Sequence, residues 1–133
     1  SLPFALNHIN LWLLRDEIDG ENGRIQGWSI VDCCIHKEEA KTQWKDIFTH
    51  ELEGLPVLRV IVTHMHPDHI GLAHWLCQRW NVPLWISALD YQVAKLVAWG
   101  LRGLAVIVQQ IYFRYHHKQT RNPAFKNFWI FFY

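Results

Sequence analysis

Four polar side chains directly after an apolar run constrain this chain more than any other feature. Residues 57–62 are rich in β-branched side chains, which is typical of a buried strand, and His64, His66, Asp68 and His69 follow. In an extended segment His64 and His66 project to the same side and can reach one metal ion. A carboxylate beside imidazoles suits zinc, iron or manganese. Histidines also serve as partly buried hydrogen-bonding groups, but order, spacing and context together favour a metal site.

This segment resembles the His-x-His-x-Asp-His signature of the metallo-β-lactamase-fold hydrolases, with Thr63 before it and Gly71 after it. The resemblance implies that His64 and His66 bind a first metal ion and that Asp68 and His69 bind a second. It implies two zinc ions per complete site, with iron or manganese as alternatives. Hydrolysis would use a metal-activated water, and Asp68 would orient this water or receive its proton as a catalytic residue.

Asp32 ends an earlier predicted strand where this family usually reads Asp-Thr-Gly. In relatives this aspartate supports the metal site by orienting a ligand. An aspartate that caps a turn is the alternative. The next residues here are Cys33 and Cys34, and we expect Cys34 to disfavour the tight turn, since glycine often supplies a positive φ there. Both thiols are interpreted as small buried side chains.

The remaining pattern alternates strands and helices, which predicts an α/β (α+β layered) domain. A loop is predicted at 15–24 between two strands that form a hairpin, and a cap at Ser87 for a last helix. The resemblance implies the N-terminal half of an αββα sandwich, with residues 1–100 as the N-terminal part and 101–133 as a divergent or truncated tail of the same domain. Predicted strands cover residues 7–14, 28–32, 57–62 and 83–87, and predicted helices cover 37–52 and 71–80.

A complete site of this family also needs a further His, a bridging Asp and a last His from downstream. No Asp follows Asp90, and the surroundings of His116 and His117 differ from those of the family's third His ligand. The four residues of the signature leave each ion with two protein ligands, fewer than the three usual at a catalytic zinc. We therefore expect an incomplete chain, from truncation, fragmentation or a shifted reading frame near residue 104.

The resemblance is strongest to glyoxalase-II-like hydrolases, which implies a small-molecule thioester, of the hydroxyacylglutathione type, or another ester or lactone as substrate. The alternative is a truncated, non-catalytic remnant that binds metal weakly or not at all. Basic and aromatic residues in the tail suggest nucleic-acid binding, but 13 Lys and Arg against 12 Asp and Glu argue against it.

Location and assembly follow from composition. Three cysteines without a paired spacing indicate a reducing, cytoplasmic compartment, and no apolar run approaches a membrane span. A half sandwich would expose the sheet face that its missing half should cover. The sequence therefore predicts poor solubility or self-association.

Overall fold

The computed structural model describes residues 9–98, 100 and 129–132. Within them strands and helices alternate as predicted, which confirms the layered α/β class. The order is β1 (Trp12–Gly20), β2 (Gly23–Val31), α1 (Glu38–His50), β3 (Val57–Ile61), α2 (Pro67–Ile70), α3 (Ala73–Trp80), β4 (Leu84–Ser87), α4 (Ala88–Ala98) and β5 (Trp129–Phe132).

The strands form one mixed sheet in the order β1-β2-β3-β4-β5. β1 pairs with β2 and β4 with β5 in antiparallel fashion, whereas β2, β3 and β4 run parallel. The carboxyl ends of these three parallel strands therefore lie along one edge, where binding sites of such sheets form. The segment that follows β3 at this edge, residues 63–69, is called the histidine loop below.

The hairpin of β1 and β2 is longer than predicted. The expected loop at 15–24 is wrong, since β1 continues to Gly20 and only residues 21 and 22 connect it to β2. The charged side chains in this stretch lie in a paired strand, where Ser29 and Arg59 both contact Asp16 at 2.5 and 2.6 Å. Gly23, with a φ of +116°, permits the tight turn. The predicted first strand was placed too early, because residues 9–11 are outside β1; residues 7 and 8 lie outside the described part.

The helix predicted at 71–80 is confirmed as α3 but begins two residues later, and a separate short helix precedes it. Pro67 begins the short helix α2, with extended His66 as its N-cap, because proline is well suited to the first helical turn. α3 then begins at Ala73. Asp68 and His69 consequently lie on a helical turn, directly after the extended segment that carries His64 and His66.

The core lies between one face of the sheet and helices α1 and α3. Ile30, Val60 and Ile86 of the central strands pack in one cluster with Trp44 of α1 and Leu76 of α3. Side chains alternate along a strand, so the opposite face carries three large, exposed apolar residues: Trp12 (57% exposed), Leu14 (49%) and Ile25 (43%).

The predicted tail is described only at residues 129–132, which form β5 beside β4. His116 and His117 lie outside the described residues. Among the described helices, none has the length and apolar character needed to cross a membrane.

Candidate metal centre

Asp32 joins the ends of two neighbouring strands. It follows β2 with a φ of +62° and is 4% exposed. Its amide donates to the carbonyl of Ile61 at 2.8 Å. Its carboxylate accepts hydrogen bonds from the amide of Thr63 at 2.9 Å and from the Thr63 hydroxyl at 2.9–3.0 Å. A buried carboxylate with several donors is held in one position, and it fixes the start of the histidine loop.

The same carboxylate contacts His69. Nδ1 of His69 lies 2.8 Å from Oδ2 of Asp32, although the ring N–H is not well aligned on that oxygen. Nε2 of His69 faces the other way and lies 3.5 Å from Oδ2 of Asp68. The carbonyl of His69 also accepts from the amide of Cys33 at 2.7 Å. Ligating histidines commonly have one ring nitrogen beside a carboxylate, which leaves the other for the metal.

Three imidazoles meet above the end of β3. The ring centroid of His64 lies 4.6 Å from that of His66 and 3.9 Å from that of His69. Nδ1 of His64 is 3.0 Å from the Thr63 hydroxyl, so Nε2 is the nitrogen directed elsewhere. Burial, and then the nearby rings of His69 and His66, lower the pKa of His64 below its ordinary value. The lowered pKa favours the neutral form of His64, in which imidazole binds metals.

The turn after Asp32 forms although cysteine replaces glycine, so the unfavourable residue does not prevent it. Cys34 adopts the left-handed conformation itself, with a φ of +73°. Its carbonyl accepts from the amide of Leu72 at 3.2 Å. Gly71 lies so close to this turn that an added Cβ would be 2.6 Å from the amide nitrogen of His36 and 2.8 Å from the carbonyl oxygen of Cys34. Tertiary contacts thus hold the turn.

Asp90 is a residue of this region that sequence reasoning missed. It is 6% exposed, and its Oδ1 accepts from the amide of Met65 at 3.1 Å. Its other oxygen accepts from the hydroxyl of Ser87, and its amide donates to that hydroxyl oxygen at 3.1 Å. The predicted cap at Ser87 is thereby confirmed. The pattern Ser-x-x-Asp resembles a helix capping box, the one sequence signal that could have indicated Asp90.

The described donors come in pairs that could each contribute two ligands to a metal ion. Among the described residues, no group of three or more His, Cys, Asp or Glu side chains is arranged to hold one ion. Two ligands of a tetrahedral zinc, each about 2.0–2.1 Å from the ion, lie about 3.4 Å apart. The 3.5 Å between His69 Nε2 and Asp68 Oδ2 agrees with a shared ion. The assignment of His64, His66, Asp68 and His69 as ligands, and of Asp32 as their support, stays a prediction.

Comparison with known proteins places the chain in a family. The model of the metallo-beta-lactamase superfamily matches residues 8–115. A beta-lactamase domain protein from Burkholderia ambifaria, known from its crystal structure, is 58% identical, with a TM-score of 0.66 over 71% of this chain and 28% of that one. A metallo-beta-lactamase from Pontibacter korlensis is 22% identical, with a TM-score of 0.44 over 67% of this chain and 46% of that one.

No curated protein matches the chain. The chain spans less than a third of the length of its Burkholderia relative. The family match covers most of the chain, from before β1 to beyond α4. It includes Asp32, the histidine loop and Gly71, the residues whose contacts build the candidate site. This chain belongs to the metallo-beta-lactamase superfamily.

Proposed function

We propose that this chain carries part of the active site of a metal-dependent hydrolase. The superfamily consists mostly of hydrolases, and its members generally bind metal ions, often zinc. In this proposal His64 and His66 bind one zinc ion, and Asp68 and His69 bind a second. The observation that carries the proposal is the contact of the Asp32 carboxylate with Nδ1 of His69, which turns Nε2 towards Asp68.

Bound zinc supplies two kinds of chemistry at such a site, since it polarises a carbonyl and lowers the pKa of water towards about 7. The chain's own residues prepare the site. Asp32 orients the ring of His69, and the hydroxyl of Thr63 lies against Nδ1 of His64. Asp68, whose carboxylate lies beside His69, is placed to orient the attacking water or to take its proton.

The proposed substrate is a small thioester of the hydroxyacylglutathione type, or another ester or lactone. Support comes from the likeness of the β1 region and of the histidine loop to the glyoxalase-II-like hydrolases. Because the same ligands serve several hydrolytic reactions, substrate assays must include both thioesters and lactones. The three free cysteines agree with a reducing compartment, and we propose a cytoplasmic location.

The second candidate is a non-catalytic chain that binds metal weakly or not at all. The observation in its favour is that the described residues offer no group of three ligands for one ion. Catalytic zinc usually has three protein ligands. The two candidates differ in the metal affinity of the purified chain, which can be measured directly.

The first experiment measures the metal content of the purified 133-residue chain by mass spectrometry, after incubation with zinc and removal of the excess. The test variant is His66→Ala with Asp68→Ala, and the matched control is His74→Ala, an exposed histidine on α3 outside the loop. We expect up to two equivalents of zinc in the wild type and the control, and a loss in the double variant. Equal metal content in all three proteins would refute the ligand assignment and favour the non-catalytic candidate.

If zinc binds as expected, turnover is assayed with a hydroxyacyl thioester of glutathione and with a simple lactone. Release of thiol or acid that depends on zinc, and that the double variant lacks, would support a hydrolase. Zinc binding without turnover of either compound would support a metal-binding but non-catalytic chain.

A further inference from the structure

We infer that Asp90 is a positioning residue of the candidate metal site, which holds the main chain between His64 and His66. The inference rests on the proposed function for the presence of a metal, but the contact between Asp90 and the loop does not depend on that function. Met65 lies between the two histidines, and its amide donates to Oδ1 of Asp90 at 3.1 Å. Asp90 is 25 residues further along the chain, on α4.

Asp90 is itself held in place from its own helix. Ser87 precedes α4, and the Ser87 hydroxyl both donates to Oδ2 of Asp90 and accepts from the Asp90 amide. The side chain is 6% exposed, so its carboxylate is largely withdrawn from water. A buried carboxylate that loses a hydrogen-bond donor pays a large desolvation cost, and movement of the Met65 amide is therefore opposed.

Two buried carboxylates thus accept hydrogen bonds from backbone amides of the histidine loop on either side of His64. Asp32, at the end of β2, binds the amide of Thr63 at 2.9 Å. Asp90, after β4, binds the amide of Met65 at 3.1 Å. β2 and β4 are the two neighbours of β3 in the sheet. The backbone amides of the residues before and after His64 are consequently bonded to different elements, the end of β2 and helix α4, which restrains the main chain at His64 from both sides.

Asp90 therefore affects metal binding indirectly. Its carboxylate contacts the backbone of the loop, and it is not proposed as a metal ligand. Groups that orient metal ligands typically contribute about 10- to 100-fold to metal affinity. We expect Asp90→Ala to weaken zinc binding by about 10- to 100-fold. Asp90→Asn keeps an oxygen that can accept from Met65, and we expect it to recover most of that affinity.

The matched control is Val93→Ala, which shortens a buried apolar side chain of the same helix and removes no hydrogen-bonding group. Cobalt(II) replaces zinc for a spectroscopic measurement, because its visible absorption reports ligand geometry. We expect Asp90→Ala to change the cobalt spectrum and Val93→Ala to leave it unaltered. Equal losses of affinity in the two variants, with unchanged spectra, would show that Asp90 acts through stability alone and would overturn the inference.

Hydrogen exchange of the metal-free chain separates this inference from the proposed function. Loss of the Asp90 acceptor is expected to speed exchange of the Met65 amide by about tenfold, with little change at the Thr63 amide. If the wild type binds no metal, the proposed function fails. Faster exchange of the Met65 amide alone in Asp90→Ala would still show that Asp90 restrains the loop. An unchanged exchange rate of the Met65 amide in Asp90→Ala would refute the inference that Asp90 restrains the loop.

Discussion

Asp32 and Thr63 lie 31 residues apart in the chain and are joined through both the amide and the hydroxyl of Thr63, which donate to one buried carboxylate. The amide bond fixes where the histidine loop leaves β3. The hydroxyl contact adds a second donor to a carboxylate that is 4% exposed. The stability of the strand ends and the position of the first histidine therefore depend on the same pair.

Thr63→Val tests this pair, because valine keeps the shape of threonine and removes only the hydroxyl. Hydrogen bonds to charged groups contribute about 1.5–3 kcal/mol, so we expect the free energy of unfolding to fall by about that amount. Urea denaturation followed by tryptophan fluorescence measures the change. Thr63→Ser, which keeps the hydroxyl, is the control and should lose less than Thr63→Val. A valine variant as stable as the wild type would show that the hydroxyl bond contributes nothing.

Local patterns predicted the part of the site that is local in sequence. The spacing of His64, His66, Asp68 and His69 after an apolar run indicated the loop, and the loop lies at the end of β3 as expected. Asp90 was not predicted to belong to the site, because its hydrogen bond to Met65 spans 25 residues and requires no particular residue pattern near either position. The sequence around Ser87 was explained by a helix cap alone, so it gave no reason to expect a contact with the loop.

The errors in predicting the fold from the sequence have the same origin, since each depends on non-local contacts. Charged residues at 15–24 resemble a loop when neighbours in the sheet are unknown, yet Asp16 lies in β1, where its carboxylate contacts the side chains of Ser29 and Arg59. The apolar run that forms β5 was visible in the sequence, but its pairing with β4 is non-local. The conformation of Cys34 likewise depends on the packing of residues 34–36 against Gly71.

Cys34→Gly is expected to be more stable than Cys34→Ala. Both variants lose the thiol, but only alanine keeps a Cβ at a φ of +73°. A non-glycine residue in the left-handed region costs about 1–2 kcal/mol, part of which is offset by the greater freedom of glycine in the unfolded chain. We expect a difference of about 1 kcal/mol in the free energy of unfolding, measured by denaturant titration. Equal stability of the two variants would indicate that the turn relaxes to another conformation.

Gly71→Ala is expected to destabilise the chain by about 1–3 kcal/mol or more. A Cβ at Gly71 would lie 2.5 Å from the carbonyl oxygen of Pro67 and 2.6 Å from the amide nitrogen of His36. Both contacts are with backbone, so neither can be relieved by turning a side chain. Thermal unfolding of the variant, followed by circular dichroism, measures the loss.

Gly20→Ala is the control for this substitution. A Cβ there would lie 2.7 Å from the end of the Ile25 side chain, which is 43% exposed and can move aside, and its nearest backbone contact would be the carbonyl oxygen of Gly23 at 3.0 Å. We expect the control to lose clearly less stability than Gly71→Ala. Equal shifts in melting temperature would mean that the backbone around Gly71 moves apart at little cost.

Cys77 is expected to react slowly with iodoacetamide at pH 8. Burial raises its pKa to about 11 from an ordinary value of 9.0. Burial also raises the pKa of Cys33 well above that value, with further contributions from nearby Cys77 and Asp32. The thiolate is the reactive form, and at pH 8 its fraction falls to about one in a thousand at Cys77. The rate should rise about tenfold per pH unit until the pH approaches that pKa.

A time course of alkylation at pH 8 and pH 10, resolved by peptide mass spectrometry, measures each cysteine. The same reaction in guanidinium chloride, where the chain is unfolded, gives the rate of an unprotected thiol. Alkylation of Cys77 at that rate in the folded chain would contradict its burial.

Self-association is expected through the sheet face that carries Trp12, Leu14 and Ile25, all of them more than two-fifths exposed. Trp12 and Leu14 are neighbours on this face of β1, and exposed apolar patches often mark an interaction surface. β1 is also an edge strand of the described sheet, with backbone groups open to pairing. We expect the 15.8 kDa chain to sediment as a dimer or larger species with increasing concentration. Leu14→Gln removes a side chain whose burial is worth about 1.5–3 kcal/mol and should shift the equilibrium towards monomer. Asp19→Asn, on the opposite face of β1, is the control and should sediment like the wild type. A wild-type chain that stays monomeric at every concentration would show that this face does not bind a second copy.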